Sequence, residues 1–203
     1  QWNSILRYQS TFSILIMKIT TSKTEIKDLL KAWLAISIAF AIILSPEQGY
    51  LTAFIISAIA VGFGFLLHEL GHKVVAQHYH LFAEFRSFDK MLILAILMSF
   101  FGFIFAAPGA VMIYGTHYLD KIKNGKISLA GPLVNLILAI IFLILMKLNI
   151  LQVLSNYGFL INIWIALFNM IPVWNFDGKK ILAWNKFIYF TFIILCITLI
   201  FLK

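Results

Sequence analysis

The chain has 203 residues, of which 62% are hydrophobic and only 12% are charged. Ordinary soluble domains are about 45–50% apolar and about 25% charged, so this composition excludes that class and indicates an integral membrane protein. The net charge of +8 comes from basic residues between long apolar runs. In that setting they indicate membrane orientation and contact with anionic lipid, and not nucleic-acid binding.

The polar segment 1–31 is predicted to be cytoplasmic and to precede a single membrane-embedded domain over 32–203. Met17 begins a charged stretch that suits a natural start. Residues 1–16 are therefore treated as non-native sequence and are left out of the fold prediction.

Five apolar runs predict transmembrane helices, since a helix needs about 20 apolar residues to cross a bilayer. The third run is expected to begin as a helix at Gly131-Pro132, because proline is tolerated in a first helical turn. The predicted fold class is all-α, with about five transmembrane helices. The runs are 32–45, 50–75, 129–148, 157–176 and 186–202.

A sixth apolar run, 91–113, is interrupted at Gly102 and at 106–109. It either crosses the bilayer as a sixth span or folds back as a re-entrant element. If it folds back and the N-terminus is cytoplasmic, every lysine and arginine except Lys147 and Lys203 lies on the cytoplasmic side. A full crossing inverts all later loops and weakens this asymmetry. The positive-inside rule therefore favours the re-entrant element.

The second run contains His68-Glu69-Leu70-Gly71-His72, which fits the pattern H-E-x-x-H. Positions i and i+4 share one face of a helix, so both imidazoles can reach one metal ion while the glutamate contacts a bound water. Two buried histidines alone are often only packed core residues. A glutamate this deep in an apolar helix costs about 2.5–3.5 kcal/mol on insertion scales, which favours a functional site.

Catalytic zinc sites use three protein ligands, so a third must come from elsewhere in the chain. Asp177 is favoured because it follows directly on a predicted membrane helix, with Pro172 to break that helix and Gly178 to permit a sharp turn. In the re-entrant arrangement Asp177 and His72 both end helices that run toward the cytoplasm, so they meet at one depth. The other candidates are interpreted mostly as solvated loop residues: Glu25, Asp28, Glu47, Glu84, Asp89, Asp120, His78, His80 and His117.

Two motifs together, H-E-x-x-H at 68–72 and N-x-x-P-x-x-x-x-D-G at 169–178, resemble the site-2 protease family of intramembrane metalloproteases. Residues 130–135 are also similar to the family's Gly-Pro helix start. One departure is Lys179, which stands where many members have a second glycine. The resemblance covers residues from about 50 to 182 and implies that 32–203 is a metalloprotease domain.

The resemblance implies one Zn²⁺ per chain, held by His68, His72 and Asp177, with Glu69 as the catalytic base. It also implies that Asn169 and Asn135 help to hold substrate backbone or the site itself.

The implied reaction is hydrolysis of a peptide bond in or near a transmembrane segment of another membrane protein, after that segment unwinds. Pro108 and Gly109 are either an exposed backbone edge that receives the unwound strand by β-augmentation or a simple structural break. The implied location is the plasma membrane of a prokaryote, as a multi-pass protein. The alternatives are a membrane zinc transporter, which needs ligands on both sides of the membrane, and a catalytically silent scaffold.

Overall fold

The computed structural model describes residues 19–104, 108–114 and 119–203, so the segment 1–16 lies outside the described residues. Most of the described chain is helical, in agreement with the predicted class. The helices are α1 (Lys23–Gln48), α2 (Tyr50–Ile56), α3 (Phe63–His78), α4 (Asp89–Ser99), α5 (Lys121–Lys147), α6 (Gln152–Asn169), α7 (Asp177–Trp184) and α8 (Lys186–Phe201), with a π-helical segment over Ser57–Gly62 and strands β1 (Phe82–Ser87) and β2 (Gly109–Tyr114).

Three described stretches are long and apolar enough to cross a bilayer: Lys23–Gln48, Tyr50–His78 and Lys121–Lys147. They correspond to the first three predicted spans. The remaining two predicted spans overlap α6, which ends at Asn169, and α8, which is apolar but shorter. The total of about five spans therefore stays a prediction.

The second of these stretches is not a uniform α-helix, because the π-helical segment lies between α2 and α3. Side chains from neighbouring helices bind carbonyl groups in this wide turn. Trp33 Nε1 donates to the Ala58 carbonyl at 3.1 Å, and Asn162 Nδ2 donates to the Ala60 carbonyl at 3.0 Å. Irregular backbone at membrane depth is stable where neighbouring protein groups satisfy it in this way.

The expected helix start at Gly131-Pro132 is wrong, since both residues lie in the middle of α5. The helix begins at Lys121, where the carboxylate of Asp120 accepts a 2.7 Å hydrogen bond from the Lys123 backbone N–H. Such an N-cap stabilises a helix start by about 1 kcal/mol. Proline is tolerated inside a membrane helix where neighbouring groups compensate for the missing N–H.

The run 91–113 divides between α4 and β2, and β2 pairs with β1 in an antiparallel ladder that the all-α prediction did not include. The register places Phe82 opposite Tyr114 and Ser87 opposite Gly109. The two ends of the intervening chain therefore lie side by side, which is the geometry of a segment that folds back. The interruption at 106–109 is followed by a short stretch that contains Val111, Ile113 and Tyr114. Such β-branched and aromatic residues suit a strand.

The largest core cluster joins α5, α6, α7 and α8, and includes the buried residues Leu136, Phe159, Ile163, Met170 and Ile181. The helix α3 packs on α5 at a close approach. A Cβ on Gly71 would lie 3.0 Å from the Ala130 carbonyl oxygen, which is tighter than ordinary van der Waals contact. This glycine allows the backbone of the motif helix to approach α5 directly.

The hairpin geometry predicts that Lys90 and Lys121, which flank the folded-back segment, face the same side of the membrane. Single cysteines at these positions, Lys90→Cys and Lys121→Cys, should react with a membrane-impermeant thiol reagent from the same side of sealed vesicles, in a Cys196→Ala background. Lys147→Cys, at the opposite end of α5, should react only from the other side. Labelling of Lys90→Cys and Lys121→Cys from opposite sides would show that the segment crosses.

Candidate metal centre

The helix α3 places His68 and His72 one turn apart, with their Nε2 atoms 3.1 Å from each other. Asp177 is the first residue of α7, and its Oδ2 lies 3.5 Å from His68 Nε2 and 3.2 Å from His72 Nε2. All three side chains are buried. The structure thus brings together the three residues that the sequence suggested as metal ligands, although Asp177 is more than 100 positions from the histidines.

The spacing of these three atoms fits a tetrahedral metal ion. Zinc–nitrogen and zinc–oxygen bonds of about 2.0–2.2 Å place neighbouring ligand atoms roughly 3.3–3.5 Å apart in a tetrahedron. The observed separations of 3.1, 3.2 and 3.5 Å are close to that range. In the part of the chain that the structure describes, these residues form the group of His, Cys, Asp and Glu side chains able to hold an ion.

The second nitrogen of each imidazole is bound by a group on α5, which fixes the ring. His68 Nδ1 donates to Asn135 Oδ1 at 2.5 Å, and His72 Nδ1 donates to the Ile127 carbonyl at 2.8 Å. Because both acceptors lack a proton, each Nδ1 carries the hydrogen and each Nε2 keeps a free lone pair. This tautomer is the one that binds a metal through Nε2.

Asn135 is itself held by two further hydrogen bonds. Its Nδ2 donates to the Gly64 carbonyl at 3.1 Å and to Asn162 Oδ1 at 3.0 Å. Asn162 in turn donates to the Gly158 and Ala60 carbonyls, so every polar group in this chain of amides is satisfied. The sequence drew attention to Asn135 through the resemblance, but Asn162 carried no motif signal and was missed.

Gly131 lies directly against the two imidazoles. A Cβ at this position would collide with Nε2 of both His72 and His68. The absence of a side chain at Gly131 therefore leaves space for an ion beside the two histidines. Gly131 contributes this space and does not start the helix, whereas the sequence had suggested a helix start there.

The carboxylate of Glu69 lies on the same turn of α3 as the histidines and is buried. Its Oε2 accepts a hydrogen bond of 3.0 Å from the backbone N–H of Val111 in β2. The strand β2 therefore reaches the motif helix directly at Val111, whereas the sequence had suggested a role only for Pro108 and Gly109 near its start.

The predicted residues Pro108 and Gly109 lie at the start of β2. The Pro108 carbonyl accepts from the Phe88 N–H at 3.0 Å, which continues the hairpin by one pair. A Cβ on Gly109 would collide with the Phe85 ring and would lie 2.5 Å from the Arg86 carbonyl oxygen. Gly109 thus permits close packing of β2 on β1.

The loop before Asp177 is fixed by contacts around Met170. Tyr189 Oη donates to the Met170 carbonyl at 2.9 Å, and a Cβ on Gly178 would collide with the same carbonyl. Gly178 allows α7 to begin close to the end of α6, which differs from the sharp turn expected there. Asn169, by contrast, donates to the Ile165 carbonyl within its own helix, and its expected role in holding substrate backbone or the site stays a prediction.

Three acidic residues interpreted as solvated loop side chains are buried: Glu25, Asp28 and Glu84. Glu25 forms a 2.5 Å ion pair with Lys73, which directly follows His72. The sequence carried no signal for this pair, because its members lie 48 positions apart. The candidate His117 lies outside the described residues.

Comparison with known proteins agrees with this site. The chain is 47% identical over 173 residues to the "Putative zinc metalloprotease MJ0611" of Methanocaldococcus jannaschii, a match that covers 83% of this chain and 88% of that protein. The chain belongs to this zinc metalloprotease family. It is also 30% identical over 179 residues to the "Zinc metalloprotease MJ0392" of the same organism, covering 84% of this chain and 44% of that relative. No protein-family model and no solved structure matches the chain.

The contact of Gly131 with both imidazoles predicts that Gly131→Ala weakens zinc binding by about tenfold or more, the range found when groups that support metal ligands are changed. Competition with a chromogenic chelator measures this affinity. Gly158→Ala is the matched control, since its Cβ would meet the Phe142 ring just as tightly but would contact neither imidazole. Equal zinc affinity in the two variants would contradict the proposed role of the space at Gly131.

Proposed function

We propose that this family member is an intramembrane zinc endopeptidase of the site-2 protease type. The observation that carries the proposal is the convergence of His68 Nε2, His72 Nε2 and Asp177 Oδ2 on one point beside a helix that is apolar and long enough to span a bilayer. A zinc protease whose two histidine ligands lie on such a helix acts at membrane depth. Its substrate is then a transmembrane segment of another protein.

In this proposal His68, His72 and Asp177 hold one zinc ion. When bound, zinc supplies Lewis-acid polarisation of the scissile carbonyl and lowers the pKa of a water molecule to about 7. Glu69 is the general base. Its Oε2 accepts the Val111 N–H, so its Oε1 is the atom that takes the proton from water and passes it to the leaving amine nitrogen. Hydrolysis adds the hydroxyl to the carbonyl carbon as the C–N bond breaks.

The outer edge of β2 is suited to receive the substrate as an extended strand. One edge of β2 is occupied by β1, and the other edge faces Glu69 at Val111. A substrate segment paired by β-augmentation with the residues of this edge on either side of Val111, whose own N–H is bound by Glu69, would lie beside Glu69 with most of its backbone groups satisfied. A substrate helix would otherwise keep its carbonyls hydrogen-bonded and sheathed by side chains.

The proposed setting is the plasma membrane of a prokaryote, with the N-terminus cytoplasmic and the chain crossing several times. The three apolar stretches support a multi-pass protein, and the basic residues near the start of α1, the end of α3 and the start of α5 support this orientation. Both relatives are proteins of Methanocaldococcus jannaschii, which supports a prokaryotic host.

Glu69→Gln should retain about one zinc per chain and lose proteolysis, because the ligands remain while the base is removed; general-base catalysis contributes about 10²–10⁴-fold. His68→Ala and Asp177→Ala should lose both metal and activity. Metal analysis and initial cleavage rates on a panel of single-pass membrane proteins measure the two effects. Near-normal cleavage by Glu69→Gln would contradict the role given to this residue, and a zinc transporter or silent scaffold would show no Glu69-dependent cleavage at all.

Cleavage is expected to depend on how easily the substrate helix opens. Replacing a Gly or Pro near the scissile bond of a good substrate with Leu should slow cleavage by about tenfold or more, since these residues change helix stability by about 1–3 kcal/mol. Initial rates in detergent and in liposomes measure this. A rate that followed side-chain size and ignored helix strength would instead indicate a protease that reads a side-chain pocket.

A further inference from the structure

A buried ion pair lies behind the ligand helix. Glu25 Oε2 is 2.5 Å from Lys73 Nζ, and both side chains are fully buried. Lys73 Nζ also donates to Thr21 Oγ1 at 2.9 Å. Because the cost of removing two charges from water offsets much of their attraction, such a pair is weak evidence for stability alone. A further hydrogen bond of Glu25 indicates the function of the pair.

The second oxygen of Glu25 binds the β-hairpin. Glu25 Oε1 accepts a 3.0 Å hydrogen bond from the Phe85 backbone N–H in β1. A single carboxylate on α1 therefore joins the strand β1 to Lys73, the residue that follows the metal ligand His72 on α3.

Phe85 is directly opposite Val111 in the ladder. The N–H of Phe85 points to Glu25 and the N–H of Val111 points to Glu69, so the two groups face away from each other. This is a non-hydrogen-bonded pair, in which the backbone groups of both residues lie on the outer edges of the hairpin. One cross-strand pair is thus held from both edges by carboxylates.

We propose that this arrangement positions the general base. Glu25, anchored by Lys73, fixes the hairpin against α3, and the Val111 N–H then holds Oε2 of Glu69 so that Oε1 is presented to the reacting water. Glu25 and Lys73 are positioning residues that act through the hairpin. This inference rests on the proposed role of Glu69 as the catalytic base.

The first test removes one hydrogen-bond donor. Val111→Pro deletes the N–H that binds Glu69 while leaving the ladder bonds to β1, since proline is tolerated where the N–H faces an outer edge. Val111→Ala is the matched control, because it shortens the side chain and keeps the N–H. We expect Val111→Pro to lower kcat by about tenfold to a hundredfold relative to Val111→Ala, the scale of a misplaced catalytic group, with zinc content retained.

A second test changes the anchor without leaving a lone buried charge. The double variants Glu25→Gln/Lys73→Met and Glu25→Leu/Lys73→Met both lack the ion pair, but only the first keeps an oxygen to accept the Phe85 N–H. The kcat of the glutamine pair should exceed that of the leucine pair by about tenfold, with KM and zinc content changing much less. A purely structural role would instead lower the amount of folded, zinc-loaded protein and leave kcat per zinc equal.

Two results would overturn the inference, provided that the wild-type protein cleaves substrate. The first is an equal kcat per zinc in Val111→Pro and Val111→Ala. The second is an equal kcat per zinc in the two double variants. A drop confined to KM also overturns it, since that result would assign Val111 to substrate binding. Failure of the proposed function has a different signature, because the wild-type protein would then show no zinc-dependent cleavage. Size-exclusion profiles and zinc content separate misfolding from both results.

Discussion

The close approach of α3 to α5 is the constraint on which the rest of the site depends. The imidazoles of His68 and His72 must turn their Nε2 atoms to one point, and the groups that fix them, Asn135 and the Ile127 carbonyl, all belong to α5. Those hydrogen bonds form only if the two backbones nearly touch. Gly71 provides this contact from the α3 side and Gly131 from the α5 side. Helix association in a membrane relies on such small residues, because lipid supplies no hydrophobic force between helices.

The polar groups beside the ligands form a connected hydrogen-bond network in which the side-chain amides are satisfied. Asn135 and Asn162 link α5 and α6 to the backbone of the span that carries the motif. Unpaired buried amides would be costly, so each bond helps to hold the others in one arrangement. The hairpin supports the base separately, because the Val111 N–H in β2 binds Glu69 and the Phe85 N–H in β1 binds Glu25 of α1. The base and the ligands are therefore supported from different directions.

Much of the site could be predicted because its chemistry is unusual for an apolar chain. Paired histidines and a glutamate on one helix turn carry a strong signal, and Asp177 was suggested by its place after a predicted membrane helix. The supporting residues could not be found in this way. Asn162, Glu25 and Lys73 act through partners far along the chain, and such pairings leave no local pattern. Residues 109–113 were read as part of the apolar run 91–113, yet the pairing of β2 with β1 depends on a register that only the folded chain defines.

The π-helical segment over Ser57–Gly62 has a consequence for how the whole span is oriented. A wide turn holds one more residue than an α-helical turn, and each residue adds about 100° of rotation. The face that α2 presents to its neighbours is therefore out of phase with the face that α3 presents. A helical wheel drawn from Tyr50 onward with α-helical geometry would misplace the directions of His68 and His72 by about 100°. The phase shift allows the continuous helical stretch Tyr50–His78 to pack along different faces in its two halves and to bury His68, Glu69 and His72 in the second.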